Sequence, residues 1–364
     1  MRSLGPQRWR RVRTPTAPWV PLGVAAAIVG LLLVLPSAPV EVQPVGSELP
    51  ASCGDEGEKC EQRFTVSGGS ALAALANAPL TGNPEVTHAV VVLHGTGRNP
   101  VSAFASMLAA ADKAGVTGRT LVLAPQFKSG EDDPGKGEAV WDEDGWKQGD
   151  AAEEPAGGPS SFAVMDEILT MLADRQRFAN LRRITVAGHS VGGQFAQRYA
   201  AFGLAPNQLR DVAVDYVVAN PSSFMYFDAA RPTSGGSGFA EPAAPKCADY
   251  DSYKYGMRGR TGYAARLTPE QALATYASRR VTVINGADDT VDNGNLDTDC
   301  QANLQGPNRL VRGERFHQRM RQLAPGAPHD RIVVPGVDHD KEALYASAPV
   351  IKVLFGTAVP GPGR

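Results

Sequence analysis

Behind the apolar run Ile184 to Ala187 stands Gly188-His189-Ser190-Val191-Gly192-Gly193, and no other stretch constrains the fold of this 364-residue chain as tightly. A GxSxG pentapeptide between a β-type run and a helix-type run predicts a sharp strand-to-helix turn with the serine hydroxyl exposed at its tip. Gly188 can take a crowded backbone that a Cβ would resist, and Gly192 and Gly193 let the following helix approach the strand. That helix reads through VGGQFAQRYAAF, with Phe195, Tyr199 and Phe202 at helical spacing and Gly203 as its stop. An ordinary glycine-rich βα turn carries the same local pattern, so the rest of the chain has to decide.

The surroundings are those of an α/β protein. HAVVVLHG, TLVLAPQF, RRITVAGH, DYVVANPS, RRVTVINGAD and DRIVVPGVDH are near-continuous apolar runs, the pattern of parallel strands covered on both faces. Helix-type segments lie between them: Pro100 to Lys113, Ser161 to Phe178, the helix after Ser190, and one that Thr268-Pro269-Glu270-Gln271 opens as a capping box and that runs to Ser278. The alternation predicts a doubly wound, mostly parallel sheet with helices on both faces. Two insertions interrupt it. Residues 128–159 are acid-rich and carry Trp141 and Trp146; residues 222–267 pass through a Gly/Pro/Ser-rich stretch to YDSYKYGMRGRTGY, with four of the nine tyrosines. Both follow strands on the side where ligand sites of such sheets form, so they are expected to wall the pocket. Their aromatics suit either a substrate surface or simple loop packing.

A serine hydroxyl is a weak nucleophile at neutral pH, and it needs an imidazole base that a carboxylate holds in the right tautomer. Of six histidines, His88 opens a strand, His94 belongs to the HGTGRN loop, His189 is bound into the turn, His317 lies in a helix-type segment and His329 precedes the last strand. His339, just past that strand, remains as the base. VTVINGADDTVDN offers Asp288, Asp289 and Asp292 as acids behind the penultimate strand. Donors for a developing oxyanion are expected from the backbone N–H of Val191 and from the HGTGRN loop, at Thr96 with Gly97 as alternative. The acidic run Asp288 to Asp299 invites a calcium reading but lacks the spacing of a hexadentate loop. No metal is expected there.

Taken together, strand order, turn, loop and the succession serine, acid, histidine resemble the α/β-hydrolase superfamily from about residue 62 to 358, in particular exported or envelope-anchored bacterial esterase-like members. The resemblance selects Asp289 over Asp288 through a G-x-x-D turn counted from Gly286, and it implies a catalytic set of Ser190, Asp289 and His339 with no cofactor. It further implies hydrolysis of a carboxylic ester or related acyl bond of a small molecule. A peptidase or amidase uses the same machinery. A binding protein on the same fold is the alternative from another class, and it would have no need of the acid and base. The loop reads HGTG where one esterase group has HGGG, and serine at the turn argues against a dehalogenase.

The N-terminal part points outside the cytoplasm. Arg2, Arg8, Arg10, Arg11 and Arg13 precede any acid, and WVPLGVAAAIVGLLLVL follows them, as in an export signal or a membrane anchor. Residues 1–40 are read as that segment, favouring an uncleaved anchor because no A-x-A site follows; residues 41–61 are read as a Pro/Ser/Glu-rich linker. Setting those five arginines aside takes the formal charge from −2 to −7. The folded part is therefore acidic, which argues against nucleic acid as a partner. Four cysteines suit an oxidising compartment, and the preferred pairs are Cys53 with Cys60 and Cys247 with Cys300.

Overall fold

The computed structural model describes residues 42–43 and 60–356, apart from 237, 244–246 and 293. The segment read as signal or anchor, nearly all of the linker, and Cys53 lie outside them. Six parallel strands form the centre of the sheet: β4 (His88–Leu93), β5 (Thr120–Pro125), β6 (Arg183–His189), β7 (Ala213–Ala219), β10 (Arg280–Gly286) and β11 (His329–Val334). They are the six apolar runs of the sequence. Three further strands extend the sheet antiparallel at one side, β1 (Val42–Gln43), β2 (Glu61–Thr65) and β3 (Ala71–Ala76), in the order β1-β2-β3-β5-β4-β6-β7-β10-β11.

Alternation along the strands sorts the core into two layers. Ala89, Val91 and Leu93 of β4 face Phe162 of α2 (Ser161–Leu172), Phe195 of α3 (Val191–Phe202), Tyr276 of α4 (Pro269–Ser278) and Phe316 of α6 (Arg309–Leu323). Val90 and Val92 face the other way, onto Phe104 of α1 (Pro100–Lys113), Leu344 of α7 (Lys341–Tyr345) and Leu354 of α8 (Ala348–Phe355). Every residue of β4 and β5 is buried, which explains why their sequences lack the polar half of an amphipathic strand. Each large apolar side chain so enclosed contributes roughly 1.5–3 kcal/mol. The fold is the doubly wound, mostly parallel sheet with helices on both faces.

Several elements depart from the sequence reading. The β2–β3 hairpin was not expected, because ALAALA has no β-branched residue to mark a strand; Gly68 and Gly69, at φ 84° and 81°, make its turn. Val42 and Gln43, read as linker, pair with Phe64 and Arg63. Helix α2 stops at Leu172 and not at Phe178, since the Asp174 carboxylate accepts from the Gln176 N–H at 2.8 Å and draws the chain into a turn. That turn still delivers Phe178, fully buried, to the core. The second insertion contains a short hairpin of β8 (Arg231–Pro232) and β9 (Phe239–Ala240), and Cys247 is disulfide-bonded to Cys300 of α5 (Cys300–Asn303), as preferred from the sequence. Cys60 is also in disulfide form.

Glycines at the β6–α3 junction make its close packing possible. A Cβ on Gly188 would stand 2.2 Å from the carbonyl of Gly192, and one on Gly192 would stand 2.5 Å from the carbonyl oxygen of Leu93. Both obstacles are backbone and cannot rotate away. Gly188→Ala is therefore expected to lower stability by about 1–3 kcal/mol or more, whereas Gly118→Ala, with nothing within 4 Å of its new methyl, stays within about 0.5 kcal/mol of wild type. Urea-unfolding midpoints of the two variants test the contrast, and equal midpoints would contradict this account of the junction.

Candidate active site

Ser190 occupies the bend between β6 and α3 at φ 57° and ψ −120°, a left-handed conformation rare for a residue with a side chain. Its N–H donates to the Ala219 carbonyl at the end of β7, and its carbonyl accepts from Gln194, so the neighbouring strand and the first turn of α3 both hold the strained residue. Val191 begins α3 directly behind it. Local strain kept by surrounding structure is a mark of functional sites.

Asp289 and His339 meet at the same edge of the sheet although fifty residues separate them. His339 Nδ1 lies 2.7 Å from Asp289 Oδ2, and the carboxylate is 2 % exposed. Its other oxygen accepts from the guanidinium of Arg309, also fully buried, at 3.2 Å. A carboxylate so enclosed keeps its charge compensated only through these partners. Asp288, the alternative acid, is exposed, and its N–H is tied to the Val337 carbonyl at 2.9 Å. The imidazole of His339 rests against that of His189, centroids 4.4 Å apart, beside Ser190. Among the described residues no hydrogen bond occupies His339 Nε2 or joins it to Ser190.

Asn220 couples these pieces. At φ 43° just past β7, its side-chain oxygen accepts from Gly286 N–H at 3.0 Å, and its amide donates to the Asp338 carbonyl at 3.3 Å and to His189 Nε2 at 3.4 Å. One side chain thus links the ends of three strands to the loop that carries His339. Neither Asn220 nor Arg309 was singled out from the sequence. An Asn suited to left-handed backbone at a strand end was the available signal for the first, while the second carries none.

The 94–99 loop after β4 is held from below and from the side. His94 is fully buried, packs against Trp146 with the rings tilted and their centroids 4.3 Å apart, and accepts the Phe127 N–H on Nε2 at 3.0 Å. Arg98, at φ 47°, pairs with Asp132 at 2.5 Å, and Asn99 caps α1 by accepting from Ser102 N–H. Gly95 and Gly97 line a cleft of about 250 Å³ together with His189 and His339. Thr96, the first choice for an oxyanion donor, is exposed on the same loop.

The insertions play a different part from the one expected. Trp141 and Trp146 are buried in the core, where Trp146 stacks on Phe127. The Tyr253 hydroxyl donates to the Gln148 carbonyl at 2.5 Å, that of Tyr255 to Asp299 at 2.8 Å, and that of Tyr263 to Asp166. These aromatics brace loops. Among the described residues, neither insertion lines the cleft beside His339, because the aromatic side chains that would have walled it are spent on the core and on one another. Of the acidic run, Asp297 accepts from Ser223 and Tyr255, and Asn293 lies outside the described residues.

With the geometry in view, the chain can be set beside known proteins. No family model matches it, and no curated protein does. Among solved structures it is similar to LpqC, a poly(3-hydroxybutyrate) depolymerase from Bordetella parapertussis, at 20 % identity and TM-score 0.57 over 83 % of this chain and 91 % of that one. It is also similar to poly(aspartic acid) hydrolase-1 from Sphingomonas sp. KT-1, at 23 % identity and TM-score 0.58 over 81 % and 97 %. The chain has the α/β-hydrolase fold. Among the described residues no helix is long and apolar enough to cross a membrane, and the segment read as an anchor lies outside them.

Burial sets a pH dependence for this protein. It holds the His94 imidazole down to about 4 and that of His88 to about 3, and together with the nearby His339, Lys341 and Arg309 it keeps His189 well below the usual range. Unfolded histidine takes a proton near pH 6.5, so acidification between there and pH 4 favours the unfolded chain. Stability that is complete above pH 6.5 is lost as pH falls through that window, by about 3 kcal/mol for His94 alone. Denaturant midpoints measured from pH 7 to pH 4 should fall steeply, and more gently in His94→Gln, whose amide oxygen can still accept from Phe127. A flat wild-type curve would contradict the buried neutral state.

Proposed function

We propose that this chain is a serine hydrolase of carboxylic esters or related acyl bonds. The observation that carries the reading is the 2.7 Å contact of His339 Nδ1 with the buried Asp289, beside a serine held at a strained bend. Asp289 accepts a hydrogen bond from the Nδ1–H and fixes the tautomer, leaving Nε2 to take the proton of Ser190 as its oxygen attacks the acyl carbon. Negative charge on the former carbonyl oxygen is received by the backbone N–H of Val191 and by an N–H of the 94–99 loop, at Thr96 or Gly97. As the tetrahedral intermediate collapses, His339 gives its proton to the departing alcohol. Water, deprotonated in turn by His339, then attacks the acyl carbon, and His339 returns that proton to the Ser190 oxygen as the acid leaves.

The names of the two similar structures, a depolymerase and a hydrolase, support the reaction type. Oxidised Cys247, Cys300 and Cys60 support a place outside the reducing cytoplasm, in line with the Arg-led apolar segment. A fluorophosphonate probe should label wild type and leave Ser190→Ala unlabelled, and Asp289→Asn should lower kcat by about 10³–10⁴-fold on p-nitrophenyl esters. Label that survives Ser190→Ala would overturn the assignment of the nucleophile. Faster turnover of peptide anilides than of esters would move the chain to the peptidases.

A further inference from the structure

The cleft beside His339 has a one-sided chemistry. Of its charged side chains one is cationic, Lys341, and no carboxylate lines it among the described residues. The ion pair of Lys341 is a loose one, 3.9 Å to a Glu342 carboxylate that is 70 % exposed, so its ammonium is largely uncommitted. Asp340, on the other side of Lys341 in sequence, caps α7 by accepting the N–H groups of Glu342 and Ala343 on Oδ1. Tyr345 adds a second and independent sign. It lines the same cleft at 1 % exposure, and its buried hydroxyl has no hydrogen-bond partner among the described residues. Buried polar groups are nearly always paired, so an orphaned hydroxyl on a side chain that lines the cleft is a donor left in want of an acceptor. Burial pushes its ionisation up, and the group stays a neutral O–H donor.

Besides His189 and His339, the polar lining includes Asn99, the N-cap of α1, and Ser102 in its first turn, at the helix end that carries partial positive charge. One ammonium with neutral donors matches a single negative charge. A dianionic phosphate would leave charge uncompensated. The space, about 250 Å³, is below the range of drug-sized ligands and suits a short acid.

We propose that this cleft binds the carboxylate at the end of a short acyl arm, making half-esters of small dicarboxylic acids the preferred substrates. The proposal rests on the serine-hydrolase reading for its chemistry, and on Lys341 and Tyr345 for its selectivity. Lys341 receives the carboxylate as an ion pair and the Tyr345 hydroxyl donates to it, while the acyl carbon at the other end of the arm lies toward Ser190.

Two measurements test it. Binding of glutarate as its monomethyl ester, which carries a single negative charge, to the full chain carrying Ser190→Ala, followed by calorimetry, needs no turnover. Adding Lys341→Met should weaken it by about tenfold or more, and adding Tyr345→Phe, which keeps the ring in the core, by about threefold. Failure of monomethyl glutarate to bind at millimolar concentration, or equal affinity in all three proteins, overturns the proposal. In the otherwise wild-type chain, kcat/KM for p-nitrophenyl hemiglutarate should exceed that for p-nitrophenyl valerate, and Lys341→Met should lower this ratio about tenfold. A ratio unaffected by Lys341→Met also overturns the proposal. If neither ester is cleaved, the hydrolase reading fails and the monomethyl glutarate affinities still decide the cleft.

Discussion

A side chain at φ 57° stays there only while its surroundings leave no alternative, and the site of this protein is organised around that condition at Ser190. The constraint comes from close approach. Helix α3 starts so near the ends of β4, β6 and β7 that methyl groups on Gly188, Gly192 or Gly193 would meet backbone atoms at 2.2–2.7 Å. The same approach brings the head of α3, and Val191 with it, to the rim of the sheet where the 94–99 loop, Asp289 and His339 also arrive. A wider junction would leave Ser190 free to relax out of its bend.

Around that bend, polar side chains take over where strand ladders end. Asn220 joins Gly286, Asp338 and His189, and Arg309 closes the far side of Asp289. Each is buried and bonded to groups from elements distant in sequence, so removing one leaves its partners exposed to the cost of an unpaired buried group. The 94–99 loop is treated in the same way by His94, Trp146 and the Arg98–Asp132 pair. An insertion that the composition marks as a loop thus works as the underside of the site.

The cleft follows from this division of labour. Because His339 is steadied by Asp289 and by the ring of His189, the short α7 that follows can present Lys341 and Tyr345 to the same space as Gly95 and Gly97. The residue that completes the candidate catalytic set and the residues proposed to select its substrate therefore share one short piece of chain. Selectivity can shift there without disturbing the sheet.

Six strands, the helix after Ser190 and the capping box at Thr268 could be read from the chain itself. Each depends on local or periodic chemistry: apolar runs for strands buried on both faces, glycines at a crowded turn, Pro after a capping threonine. The alanine-rich β3, the inward fate of Trp141 and Trp146, the buried Arg309 against Asp289 and the orphaned hydroxyl of Tyr345 were decided only by the tertiary structure. Burial of a polar or aromatic side chain is a property of what packs around it, and those neighbours lie tens to hundreds of residues away, beyond the reach of any periodicity.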